Sequence, residues 1–255
     1  MNYIISASTD IGNTKQTNQD SYNVRVLSSS LGKVAFAVLC DGMGGLSKGE
    51  VASTSLVKAF MKWSETRLPT LMAAGLTDDI IRGEWADIAV SFNEKIKLYG
   101  KKIGSAVGTT VAALLLTDDR YYIANVGDTR VYEIADEISV LTKDQTVVAR
   151  EVELGHLTPE QAETDERRSV LLQCVGASNT VYPDMFFGTT KKNAVYMLCS
   201  DGFRHEISSD EIWTYLHPDV MLDPDGMKRN MDYLIYLDKE RRERDNITVV
   251  SIRTF

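Results

Sequence analysis

Two junctions set a carboxylate at the tip of an apolar run. KVAFAVLC leads into Asp41-Gly42, and AVYMLCS leads into Asp201-Gly202. Three further aspartates stand beside strand-like segments: Asp20 before YNVRVLSS, Asp128 in NVGDTR between two such runs, and Asp245 directly before NITVVSIRTF. Each alone reads as an ordinary turn or cap residue. If the strand ends meet, several carboxylates share a small volume, where they stay ionised together only if a cation joins them. Carboxylates, a backbone carbonyl and water are hard oxygen ligands suited to Mg2+ or Mn2+. His156, His205 and His217 have no helical metal-ligand spacing, and Cys40, Cys174 and Cys199 lack the spacing of a zinc site or a disulfide framework. The glycines of DGMGG let the backbone turn sharply and approach an ion. No Gly-Lys-Ser/Thr follows as in a phosphate-binding P-loop, and no G-x-S-x-G elbow occurs.

The elements that must position these residues come in groups. TTVAALLLT and RYYIANVGD flank a short polar turn, and TRVYEIA and ISVLT flank another at Asp136–Glu137. Short polar connectors between neighbouring runs favour antiparallel hairpins. One long helix is expected from about Lys48 to Arg67, with Ala52, Leu56, Phe60 and Trp63 on one face. In a second, Ile81, Trp85, Ile88, Phe92, Ile96 and Tyr99 recur at spacings of three and four, with Thr77 as cap. Thr158-Pro159 with Gln161, and Ser208 with Glu211, read as capping boxes, and a last helix covers roughly Met227 to Arg242. The order is α+β, with packed sheets and helices outside.

The 255 residues are 44% hydrophobic with a net charge of -8, a globular chain that repels phosphate backbones, so no nucleic-acid partner is expected. The first ten residues do not form a signal peptide, and no apolar run reaches membrane-spanning length. No linker or repeat divides the chain. A single domain over residues 1–255, in a reducing cytoplasm, is the expectation.

NQDSY, CDGMGG, GTTVAALLL, NVGDTRVY, LTKDQT, LCSDGF and RDNITVVSI occur in an order that resembles the protein phosphatase 2C family, bacterial type, across residues 8–252. These are metal-dependent serine/threonine phosphatases. The resemblance implies two packed antiparallel sheets flanked by pairs of helices. It implies that Asp41 bridges two Mn2+ or Mg2+ ions, that the Gly42 carbonyl joins one, and that Asp201 and Asp245 hold the other. Asp20 would act mostly through water, and Asp128, sharing Asp201, would help hold a third, weaker ion. Ser169 would approach that third site from a flap spanning about residues 143–180. A hydroxide bridging the two ions would attack phosphoserine or phosphothreonine in line, with no phospho-enzyme. Phosphorylated proteins, the targets of a cognate serine/threonine kinase, are the implied substrates of a monomer.

Two departures stand out. Where the family has a phosphate-holding arginine, this chain has Lys15, which either grips phosphate as a point charge or is a solvated surface cation. Met43 stands where some members have a histidine proposed as general acid, and Asp165 lies near the position of a flap histidine. A catalytically silent binding module on the same fold would have lost ligands, yet Asp41, Asp201 and Asp245 are all present. An aspartyl-nucleophile phosphatase would need D-x-D, which DGM does not supply.

Overall fold

The computed structural model describes residues 1–29, 32–43 and 48–255; Gly44 and Gly45 of the DGMGG stretch lie outside them. In chain order the described elements are β1 (Tyr3–Asp10), β2 (Ser21–Ser29), β3 (Gly32–Cys40), β4 (Gly42–Met43), α1 (Gly49–Thr66), α2 (Leu68–Ala74) and α3 (Asp78–Ile103). Then follow β5 (Gly108–Thr109), β6 (Val111–Leu116), β7 (Arg120–Val126), β8 (Arg130–Ile134), β9 (Ile138–Val140), α4 (Val147–Glu153) and α5 (Pro159–Thr164). The chain closes with β10 (Asp184–Thr189), β11 (Ala194–Cys199), α6 (Asp201–Arg204), α7 (Ser209–Leu216), α8 (Pro224–Glu240) and β12 (Ile247–Thr254).

Two five-stranded sheets form, in the orders β1-β12-β11-β8-β9 and β10-β7-β6-β3-β2, with antiparallel pairing throughout. Strand β3 shows why its sequence is almost continuously apolar. Ala35, Ala37 and Leu39 face the opposite sheet, meeting Val131, Tyr196, Leu198, Val250 and Ile252 in the interlayer core. Phe36, Val38 and Cys40 point the other way, into a layer with Phe60, Trp63, Ile81 and Trp85 of α1 and α3. A strand buried on both faces has no polar side to alternate with. On the far side, Val195, Met197 and Val249 pack under Ile212 and Leu216 of α7 and Met227, Met231 and Leu234 of α8. The layering is helix, sheet, sheet, helix, as expected from the resemblance.

Helix starts follow their caps. Thr77 Oγ1 accepts from Ile80 N, and both capping boxes are made. The last helix begins at Pro224, ahead of the expected Met227, because Asp223 caps it by accepting from Gly226 N at 2.8 Å. β1 and β10 were not anticipated. Each is an edge strand with one hydrogen-bonded neighbour, so it is half-buried and carries a weak hydrophobic pattern. All three cysteines are free and buried. Among the described residues, no helix is long and apolar enough to cross a membrane.

Candidate metal centre

The strand tips from both sheets meet along one edge. Asp41 leaves β3 with its backbone braced by the Gly-Thr-Thr segment. Thr110 N and Thr109 Oγ1 donate to its carbonyl at 2.8 and 2.9 Å, and its own N donates to Thr110 Oγ1 at 2.9 Å. Thr110 and Thr129 share a hydroxyl contact of 2.6 Å, tying Asp41 to the turn that carries Asp128. Gly42 is sterically required. A Cβ there would lie 2.4 Å from Gly49 O and 2.5 Å from Gln19 O. The Gln19 amide, oriented to satisfy both its ends, donates to the Gly42 carbonyl and accepts from Gly49 N, each at 3.2 Å.

A second clamp gathers Asp20, Asp201 and Asp245. A Cβ on Gly202 would approach Asn246 O to 2.2 Å, so only glycine lets the start of α6 sit against the 245–246 turn. Asn246 Oδ1 accepts from Gln19 N at 2.9 Å, while its Nδ2 donates to Ile11 O and Thr17 O. This stitches the loop before β2, Lys15 included, to the strand that follows Asp245.

The electrostatics record how near the carboxylates are. Burial raises Asp41 well above the usual carboxylate range, and Asp20, Asp201, Asp128 and Asp245 raise it further. Asp20 is pushed up to about 7 by burial; the Thr248 and Ser200 hydroxyls offset part of this, and Asp201 and Asp245 add to it. Among the described residues, neither Asp20 oxygen makes a hydrogen bond of proper distance and angle, and both are buried, as is the unpartnered Asp201 Oδ1. Asp128 is also pushed up to about 7, by burial and Asp201, with Arg204 pulling the other way.

Among the described residues, no three His, Cys, Asp or Glu side chains are already drawn into a ligand group. The aspartates instead share a field and leave buried oxygens unsatisfied, at a cost that a cation would relieve. An all-oxygen set with unpartnered buried lone pairs fits a hard divalent ion.

Lys15 is exposed but not isolated: its side chain is 38% exposed, and its Nζ lies 2.7 Å from Asp245 Oδ1. Burial lowers its pKa, but the Asp245 bond and the fields of Asp41 and Asp201 outweigh this and hold it above normal. Met43 sits in the short β4–β5 pairing. Ser169 is exposed on a turn of the 143–180 segment, which returns through bridges Thr146–Leu171 and Thr109–Val175. Among the described residues it makes no hydrogen bond to the aspartates. Asp165 pairs with Arg167 at 2.8 Å, away from the aspartate cluster.

Three residues here escaped the sequence reading. His205 Nε2 stands 3.6 Å from Asp201 Oδ2, and its Nδ1 is 3.1 Å from Glu243 Oε2. Glu243 Oε1 accepts from Arg244 N and Asp245 N, so Glu243 joins the Asp201 and Asp245 segments through His205. Arg204 Nη2 reaches the Asp128 side chain at 3.6 Å and Asp144 at 3.3 Å. The available signals were local: four residues separate Asp201 from His205, one helical turn, and Glu243 stands two before Asp245. Beside the cluster, a cleft of about 750 Å3 opens between the 143–180 segment and α7, lined by Arg130, Asp144, Arg168, Arg204, His205 and Ile212 among others; none of the five aspartates lines it.

A protein phosphatase 2C family model matches residues 12–232. Protein phosphatase PhpP of Streptococcus pneumoniae is 30% identical over 97% of this chain and 96% of its own. The solved serine/threonine phosphatase of S. agalactiae superposes with a TM-score of 0.85 at 29% identity, covering all of both chains. The catalytic domain of PstP, solved in complex with two manganese ions, shares the fold with a TM-score of 0.75 at 24% identity, covering 99% of each chain. The chain belongs to the protein phosphatase 2C family.

Proposed function

We propose that this serine/threonine phosphatase is a single catalytic domain that hydrolyses phosphoserine and phosphothreonine directly, using two divalent cations held by Asp41, the Gly42 carbonyl, Asp201 and Asp245. The observation that carries this reading is the set of buried carboxylate oxygens without partners among the described residues, both of Asp20 and Oδ1 of Asp201, within the field of Asp41. When bound, Mn2+ or Mg2+ supplies a hydroxide nucleophile near neutral pH and offsets charge on the phosphoryl oxygens, so no phospho-enzyme is needed.

The chain's own residues supply placement. Thr109 and Thr110 fix the Asp41 backbone, Gly42 and Gly202 allow the close approaches, and Asn246 holds the Lys15 loop. Asp20 acts through water. Lys15, paired with Asp245 in this structure, would be the residue that grips the substrate phosphate, as a point charge, with Asp245 engaged as a metal ligand. Asp128 with Asp201 faces a third, weaker position, and Ser169, on a flap over residues 143–180, is the residue assigned to approach it. The substrates are phosphoproteins, targets of a cognate kinase. Action as a monomer in the cytoplasm fits cysteines that are buried and unpaired.

The test is hydrolysis of an aryl phosphate and of a phosphothreonine peptide with added Mn2+ or Mg2+. Activity is expected with metal, and is lost with chelator and in Asp41→Asn. Turnover surviving both treatments would overturn the mechanism. A folded protein inert with either metal would point to a binding module.

A further inference from the structure

A cation already stands at the edge of the cluster, and it belongs to the chain. Arg204 Nη2 donates to the Asp128 carbonyl at 3.2 Å, lies 3.6 Å from Asp128 Oδ2 and lies 3.3 Å from Asp144 Oδ2. Its side chain is 13% exposed, and its Nε is buried without a partner among the described residues. Arg130 holds Asp144 from the other side with a two-pronged contact, Nε at 2.9 Å and Nη2 at 2.8 Å. The result is a row of alternating charge, Asp128–Arg204–Asp144–Arg130, that ends at the carboxylate facing Asp201.

We infer that Arg204 is a built-in substitute for the third divalent ion: its guanidinium neutralises Asp128, and a metal ion gains that carboxylate only by displacing the side chain. This rests on the two-ion reading of Asp41, Asp201 and Asp245, and adds that the third position is occupied by protein charge. Three observations carry it. Asp128 is 95% buried, so its charge needs a counterion close by. Asp201 is likewise buried, with Oδ1 unpartnered, so the place between the two carboxylates still attracts a cation. Asp144 competes with Asp128 for the same guanidinium nitrogen, which gives Arg204 a place to go when an ion arrives. The side chain also lines the cleft beside the flap, so the displaced guanidinium has room to move.

The experiment counts Mn2+ by the electron-spin signal of the free ion and by calorimetry, with no turnover needed. It compares the unaltered protein, Arg204→Gln, Asp128→Asn, the double variant and Asp41→Asn. In the unaltered protein two ions bind tightly. In Arg204→Gln a third binds about tenfold or more tightly than before, the scale expected when one unit charge is removed a few ångströms from a partly buried site. Adding Asp128→Asn to that variant abolishes the gain. Asp128→Asn alone leaves the isotherm unchanged at concentrations that saturate the two tight ions. A third ion of equal affinity with and without Arg204 would overturn the inference while leaving the two-ion reading intact. Should Arg204→Gln fail to fold, Asp128→Asn alone decides, because a weak ion lost there would mean that metal, and not Arg204, holds Asp128. Two tight ions that persist in Asp41→Asn, or are missing from the unaltered protein, would overturn the metal assignment and this inference with it.

Discussion

Asp238, on α8, has no solvent exposure and, among the described residues, no hydrogen-bond partner for either oxygen. Burial pushes its carboxyl up to about 9; Glu243, Glu206 and Glu211 raise it further, and Arg241 offsets part. The folded protein therefore keeps a proton there at neutral pH, whereas the unfolded chain releases it near the ordinary aspartate value of 3.8. With more protons bound in the folded state, stability from this group falls as pH rises between those two values and levels off above the higher one. Each pH unit in that window costs about 1.4 kcal/mol, giving a ceiling of about 4 kcal/mol at neutral pH and about 1–2 near pH 5. Asp238→Asn removes the titration at nearly constant shape. Urea unfolding of both proteins across this range should show the variant more stable, by a margin that widens as pH rises while m stays constant. A margin that does not change with pH, or a variant destabilised throughout, would mean that Asp238 is ionised and paired in the folded protein, and the reasoning would fail.

In Gly202→Ala the new Cβ would press on the Asn246 carbonyl, which stands at 2.2 Å from its position, so a loss of about 1–3 kcal/mol is expected, with weaker Mn2+ binding by calorimetry. Trp85 is fully buried against Phe36, Phe60 and Trp63, with a centroid distance of 5.4 Å to Trp63; Trp85→Ala should cost about 3–5 kcal/mol in denaturant unfolding and lower Tm without altering the metal count. Lys15→Ala should raise KM for an aryl phosphate more than it lowers kcat, since the lysine is assigned to phosphate binding; an unchanged KM would leave it as a partner of Asp245 alone.

How much of this was legible in the sequence depended on range. Caps were readable because Thr158 with Gln161 and Ser208 with Glu211 complete their bonds within one turn. The double-faced burial of β3 was readable as an unbroken apolar run, and the strand-end position of Asp41 and Asp201 followed from where such runs stop. β1 was not, because Tyr3–Asp10 interleaves serines with half-buried apolar residues and owes its strand to β12, over two hundred residues away. Nor was α2, whose Pro69 restarts a helix just after α1 ends. The resemblance named the aspartates; it did not indicate that Lys15 would pair with Asp245, or that Arg204 would reach Asp128. Those contacts join residues distant in the chain, and charge type alone does not say which acid a cation will choose.

Asp20 and Asp41 belong to one sheet, Asp201 and Asp245 to the other, and Asp128 rides on the chain as it crosses between them. The gap between the two halves of the cluster is therefore gauged by side chains that carry no charge: Ala35, Ala37 and Ala112 on one inner face, Val131 and Val250 on the other. These act as shims. A methyl group added or removed deep in the sandwich would reset the spacing of oxygens that it never touches. A chain could thus keep every carboxylate and still lose the chemistry through a change of thickness.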